Sequence, residues 1–314
     1  MTKHLTQAVL CVFMLAALPA LAHAQIPNTC DFDGDGKTDP VVTRNVGGQL
    51  QWWILRSTGG LQFASWGVQF DTVLCGDYDA DGKSDITVWR PGAPGVAGFW
   101  VLQSSNGVPL FEPFGQTGDD SRVAGDYNGD GRDDFAVNRP GASAGLQSTL
   151  YFRTTSGGPV TFMPWGLNGD FTAPFDFDGD AKHDPMAQRG SQIWIRQSSN
   201  GATVLRNFGL SNDSLVPGNW DADVTEDLTV ARSSGAALQY WTVGSTTNIV
   251  SFRLWGASAT DFVTQGDWDG DGKTDLAIWR ETTGQFWINR SSGGVSIFTW
   301  GTNNDYPVNN WRVK

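Results

Sequence analysis

One aspartate-rich segment recurs six times along the 314 residues, and any fold this chain adopts must house all six copies. They read Asp31-Phe-Asp-Gly-Asp-Gly-Lys-Thr-Asp39, Asp77-Tyr-Asp-Ala-Asp-Gly-Lys-Ser-Asp85 and Asp126-Tyr-Asn-Gly-Asp-Gly-Arg-Asp-Asp134. The fourth is Asp176-Phe-Asp-Gly-Asp-Ala-Lys-His-Asp184, the fifth Asn219-Trp-Asp-Ala-Asp-Val-Thr-Glu-Asp227 and the sixth Asp267-Trp-Asp-Gly-Asp-Gly-Lys-Thr-Asp275. Their first residues lie 46, 49, 50, 43 and 48 apart. A period of that size is the length of one four-stranded propeller blade.

The rest of each repeat agrees. A short strand follows each segment and ends in Arg44, Arg90, Arg139, Arg189, Arg232 or Arg280. An aromatic strand comes next, carrying Trp53, Trp100, Tyr151, Trp194, Trp241 or Trp287. A polar turn such as Ser57-Thr58-Gly59-Gly60 leads to a strand ending in an aromatic–Gly pair, from Trp66-Gly67 to Trp300-Gly301. No segment holds a helical period with caps. The expected fold is all-β: a β-propeller of six four-stranded blades. An open array would expose strand edges, so the C-terminal stretch from Asp305 to Trp311 is expected to complete the first blade and close the ring.

Within each segment, positions one, three, five and nine carry side-chain oxygen, the ligand type that calcium accepts several at a time. The expected ligands are Asp31, Asp33, Asp35 and Asp39; Asp77, Asp79, Asp81 and Asp85; Asp126, Asn128, Asp130 and Asp134; Asp176, Asp178, Asp180 and Asp184; Asp267, Asp269, Asp271 and Asp275. Position seven adds a backbone carbonyl at Lys37, Lys83, Arg132, Lys182 and Lys273. Gly at position six suits a sharp turn. The EF-hand is excluded, because position twelve is Val42, Val88, Val137, Ala187, Val230 or Ile278 instead of Glu. Twenty-two of the 33 Asp and Glu occupy these positions, and without a cation they repel one another at close range. About five to six calcium ions would neutralise most of the net charge of −12. The acidity is then explained by metal, and nucleic acid is disfavoured as a partner. The copies are graded. The third carries Asn128, still an oxygen ligand, and the fourth has Ala181 at position six. The fifth, with Asn219, Asp221, Asp223 and Asp227, places β-branched Val224 at position six and is expected to bind weakly.

The first 24 residues read as a secretory signal peptide: Lys3 and His4, an apolar run from Ala8 to Leu21, then Ala22-His23-Ala24 with cleavage after Ala24. Residues 25–314 are one propeller domain with no membrane span, expected to be exported to the periplasm or extracellular space. Cys30 and Cys75 then remain, in nearly equivalent places of consecutive repeats. An even count in an exported chain favours a disulfide over two buried thiols.

The loops at blade spacing resemble FG-GAP/VCBS repeats over nearly all of the mature chain. The likeness extends to integrin α-subunit propellers, although those have seven blades, and to calcium-containing propeller lectins. It implies a calcium-stabilised propeller with the ions on one face, and a role in binding or adhesion more often than catalysis. The expected function is therefore non-catalytic recognition by a monomer of an extracellular ligand, glycan or protein. The alternative is an exported scaffold protein. A hydrolase has the thinnest support: Gly141-Ala142-Ser143-Ala144-Gly145 matches G-x-S-x-G but sits in a β-turn context, and His183 lies inside a loop. Two readings of the six Trp/Tyr and Arg positions remain open, as sugar-stacking platforms or as packing between blades with Arg over the ring.

Overall fold

The structure, a computed structural model, describes residues 30–308 except 222 and 259. The expected signal peptide and its cleavage point lie outside the described residues. Among the described residues there is no helix, and none long and apolar enough to cross a membrane. Six antiparallel sheets follow one another as six blades of a β-propeller. Thr72–Gly76, Asp85–Arg90, Gly98–Leu102 and Pro109–Pro113 make the second blade, from the innermost strand outward. The fourth, fifth and sixth repeat this order, starting at Phe171–Phe175, Ser214–Leu215 and Asp261–Val263. In the third blade, Phe135–Arg139, Gln147–Arg153 and Thr161–Leu167 form the sheet. Its innermost position is held only by the bridges Asp120↔Asn138 and Gly125↔Asp134. There the Ala124 N–H turns back to the Ser121 carbonyl and Asp120 pairs with Arg122, which bends the segment away from a regular strand.

The second strand of each blade is buried on both faces. Asp85–Arg90 is buried for five of its six residues, and Met186, Val230 and Ile278 are equally inaccessible. The cause is that the hydrophobic cores lie between blades. Trp52 and Ile54 of the first blade pack with Ile86 and Val88 of the second. Leu238 and Tyr240 of the fifth pack with Leu276 and Ile278 of the sixth. A fully buried Leu, Ile or Val in such a seam contributes about 1.5–3 kcal/mol; five of the six clusters join two blades, and the sixth, around Val123, Ala136 and Leu150, lies within the third.

The ring closes as expected. Tyr306–Pro307 pairs with Val41–Val46 as the innermost strand of the first blade, with Val42 opposite Pro307 and Thr43 opposite Tyr306. The Val308 N–H donates to the Val41 carbonyl, and Val42 packs with Trp279 and Phe286 across the seam. Cys30 and Cys75 form a disulfide with their Cα atoms 5.4 Å apart, tying the start of the first loop to the inner strand of the second blade.

The Trp/Tyr and Arg positions are packing elements. Each Arg lies over its ring at 4.7–5.6 Å from the centroid, the extremes being Arg280 over Trp287 and Arg232 over Trp241. The outermost strand approaches the same rings: Trp53 meets Phe63 at 4.9 Å, Trp100 meets Phe111 at 4.4 Å and Trp241 meets Phe252 at 4.7 Å. Each Arg also forks onto a buried carboxylate: Asp305, Asp71, Asp119, Asp170, Asp213 or Asp261. That Asp accepts the N–H of the second residue after each aromatic–Gly pair's aromatic member, as Val68 donates to Asp71 and Gln116 to Asp119. One side chain thus closes the connector between blades and fixes the Arg that covers the ring.

Candidate metal centres

Each of the six acidic segments leads into the second strand of its blade, so they crowd one face of the propeller. In the first loop, Asp31 Oδ1 accepts the N–H groups of Asp33 (3.2 Å) and Gly34 (2.7 Å), and Oδ2 accepts that of Gly36 (2.7 Å). This winds the chain tightly enough to need positive φ at positions four and six, +79° at Gly34 and +83° at Gly36. Ala80 and Ala181 adopt the same region in the second and fourth loops. Asp39 Oδ2 accepts the Phe32 N–H at 2.8 Å and Oδ1 the Ser57 N–H at 2.6 Å. Asp35 Oδ1 accepts the Lys37 N–H at 3.0 Å.

One oxygen is left over. Asp33 Oδ2 accepts both the N–H and the hydroxyl of Thr58, while Oδ1 is buried with no partner. The same orphan recurs at Asp79, Asp178 and Asp269 Oδ1. A buried carboxylate oxygen without a donor costs on the order of 1–3 kcal/mol or more, and a hard cation satisfies it. Three carboxylates converge to within 4.8 Å in Asp31/Asp33/Asp39, Asp77/Asp79/Asp85, Asp176/Asp178/Asp184, Asp221/Asp223/Asp227 and Asp267/Asp269/Asp271. The donor set, all oxygen with an orphan in four loops, fits calcium.

Two loops depart. In the third, Asn128 turns its amide onto its neighbour: Oδ1 accepts the Asp130 N–H at 2.8 Å and Nδ2 donates to Asp130 Oδ2 at 3.0 Å. Both polar atoms of the Asn128 amide thus have a partner within the loop, whereas Asp33 and its counterparts keep one oxygen free. In the fifth, Val224 does not take the positive φ of its counterparts, and Asn219 Nδ2 donates to the Asp223 carbonyl. Asp221, Asp223 and Asp227 nonetheless remain close together.

Burial, reinforced by neighbouring carboxylates, pushes Asp39, Asp85 and Asp184 up to about 7, and Asp134 and Asp275 to about 6. Asp31, Asp77, Asp176 and Asp267 are raised for the same reason. In Asp33 burial also pushes upward, but the Thr58 hydroxyl and N–H outweigh it and the pKa falls. A carboxyl with a raised folded pKa holds a proton that the unfolded chain has released by about its ordinary 3.8. The metal-free fold is therefore fully stable with respect to these groups below that value, and loses stability as pH rises through 6 to 7. In EDTA, the protein is expected to melt at a higher temperature at pH 5 than at pH 8. With calcium added the order is expected to invert, because carboxylates that bind a cation are held ionised. Thermal melts at the two pH values with and without the chelator check both signs.

The loops also interlock. The N–H at position eight donates to the position-one carbonyl of the preceding blade: Ser84 to Asp31 at 2.6 Å, Asp133 to Asp77 at 2.7 Å, His183 to Asp126 at 2.6 Å, Glu226 to Asp176 at 2.8 Å and Thr274 to Asn219 at 2.7 Å. Thr38 donates to Asp267 at 2.7 Å and completes the circle. The position-eight side chain fits where the preceding blade has Gly: a Cβ on Gly218 would stand 2.4 Å from Thr274 Oγ1, and one on Gly266 would stand 2.3 Å from Thr38 Oγ1. His183 belongs to this ring, where burial drops its pKa to about 3 and keeps it neutral. Ser143 lies exposed in a turn between two strands, with no helix after it.

Two features escaped the sequence reading. The first is the turn between third and fourth strands, whose Ser and Thr hydroxyls reach the loop carboxylates. The second is the Arg-paired Asp, marked by its recurrence four residues after the aromatic–Gly glycine in every blade except the sixth, where Asp261 is one residue further.

No curated protein matches this chain. Among solved structures it is similar to a streptogramin B lyase, 12% identical over 89% of this chain and 86% of that one, with a TM-score of 0.48. It is also similar to a putative 6-phosphogluconolactonase from Bacteroides fragilis, 11% identical over 86% of this chain and 96% of that one, at 0.44. Residues 31–88 match an FG-GAP-like repeat model and residues 123–162 an FG-GAP repeat model. With the matched loop recurring on six blades of one propeller, the chain is an FG-GAP repeat protein.

Proposed function

We propose that this is an exported, calcium-loaded propeller acting as a non-catalytic, monomeric recognition module for an extracellular glycan or protein. The observation that carries the calcium reading is the orphaned, buried Oδ1 at Asp33, Asp79, Asp178 and Asp269. Calcium bound there supplies charge neutralisation and a fixed geometry to the loop face. Asp31, Asp39 and their counterparts hold the loop wound around it, and Asp33 and its counterparts offer the free oxygen. The disulfide supports an oxidising compartment. Neutral, buried His183 and the helix-free setting of Ser143 support a role without catalysis.

With the Trp and Tyr rings occupied by Arg and by the outer strand, recognition falls to the connectors on the face opposite the loops. Phe70 is 80% exposed there, on the connector between the first and second blades, and Val46 and Val68 are also exposed. The adjoining backbone contact, Gln69 N–H to Gly48 carbonyl, brings the two segments together. A glycan array and a capture from cell-surface extract test this reading, each run with the Phe70→Ser variant as control. Binding lost in the variant supports it; silence of the folded, calcium-loaded protein in both assays overturns it.

A further inference from the structure

We infer that the turn between the third and fourth strands of each blade selects which loops bind metal, and that this chain has four strong sites, in the first, second, fourth and sixth loops. The inference rests on the calcium reading above and sharpens it. Two consecutive turn residues grip three carboxylates. The first donates its N–H to the position-nine Asp, at 2.6 Å from Ser57 to Asp39, Ser104 to Asp85, Ser198 to Asp184 and Ser291 to Asp275. In three of these blades its hydroxyl also reaches position five: Ser104 to Asp81, Ser198 to Asp180 and Ser291 to Asp271. The second residue, Thr58, Ser105, Ser199 or Ser292, donates its hydroxyl to Oδ2 of Asp33, Asp79, Asp178 or Asp269.

The consequence is geometric. Pinning Oδ2 fixes the rotation of the position-three carboxylate, so Oδ1 is the oxygen turned inward. The four loops with this hydroxyl contact are the same four whose Oδ1 is buried without a partner. Where the contact is missing, so is the orphan. In the third blade, Thr155 is the first turn residue and gives its N–H to Asp134 at 3.0 Å, while Asn128 at position three is bonded to Asp130. In the fifth, Thr246 and Ser245 both grip Asp223 at position five, and Asp221 at position three is not held by the turn. These Ser and Thr are positioning residues: they orient the ligand and do not touch the metal.

Counting calcium bound to the full folded chain, by equilibrium dialysis with calorimetry, tests this. Four strong sites are expected. Five or six equal sites overturn the selection by the turn and leave the calcium reading standing, whereas no bound calcium removes both. Ser199→Ala, at an exposed turn, is expected to weaken one site about ten-fold or more, and Ser199→Thr to restore it. An alanine variant with four unchanged sites overturns the positioning role. Asn128→Asp is expected to raise the count to five, and a count still at four overturns the account of the third loop.

Discussion

Stripping calcium with EDTA is expected to lower the melting temperature by about 20 °C. A ligand bound only to the folded chain contributes about 2.7 kcal/mol per site at a hundred times its Kd, so four sites contribute about 11 kcal/mol. For a chain of this size each kcal/mol moves the midpoint by about 2 °C. The loss is steeper than for an ordinary ligand, since emptied loops return to clustered, half-buried carboxylates that repel one another. Differential scanning calorimetry with excess calcium and with EDTA at pH 7.5 reads the shift. Superimposed curves would falsify the metal reading, because an ion bound only by the folded chain must raise its midpoint.

The second large effect concerns the closing strand. Ending the chain at Asn304 removes Tyr306–Pro307, uncovers the edge of Val41–Val46 and leaves Arg44 without Asp305. This variant is expected to lose its cooperative unfolding transition and to self-associate, since an unpaired inner edge templates pairing with other chains. A single change gives a graded version. Asp305→Ala removes a buried partner of an Arg that is one-third exposed, with an expected cost of about 2–3 kcal/mol, below the range for a fully buried pair. The same change at Asp213, which serves Arg232 within the fifth blade, provides the internal comparison. A truncated chain that unfolds as sharply as the full one would show that the seam does not depend on this strand.

The propeller and its six loops were legible because both signals are periodic: acids recur at blade spacing, and so do the Arg, the aromatic strand and the aromatic–Gly pair. The disulfide and the closing strand followed from the same register. What the sequence concealed is pairing between side chains distant in the chain. Asp71 and Arg90 are 19 residues apart, and the recurrence of an Asp after the aromatic–Gly pair does not say which side chain it meets. Ser104 and Ser105 look like generic turn residues until the turn is laid against Asp79 and Asp81. Asn128 shows the limit most clearly. By residue type it keeps a ligand oxygen, but an amide also donates, and the nearest acceptor is the next carboxylate in its own loop.

The circle of hydrogen bonds from loop to loop has a further consequence. Open repeat arrays fray from their terminal units, which have only one neighbour and need polar capping repeats. Here the bond from Thr38 to Asp267 makes the last junction the chemical equal of the other five, so every blade is held from both sides. Dislodging any one of them means breaking two junctions at once. The molecule behaves as a hoop, whose weakest point is not decided by where its polypeptide happens to begin.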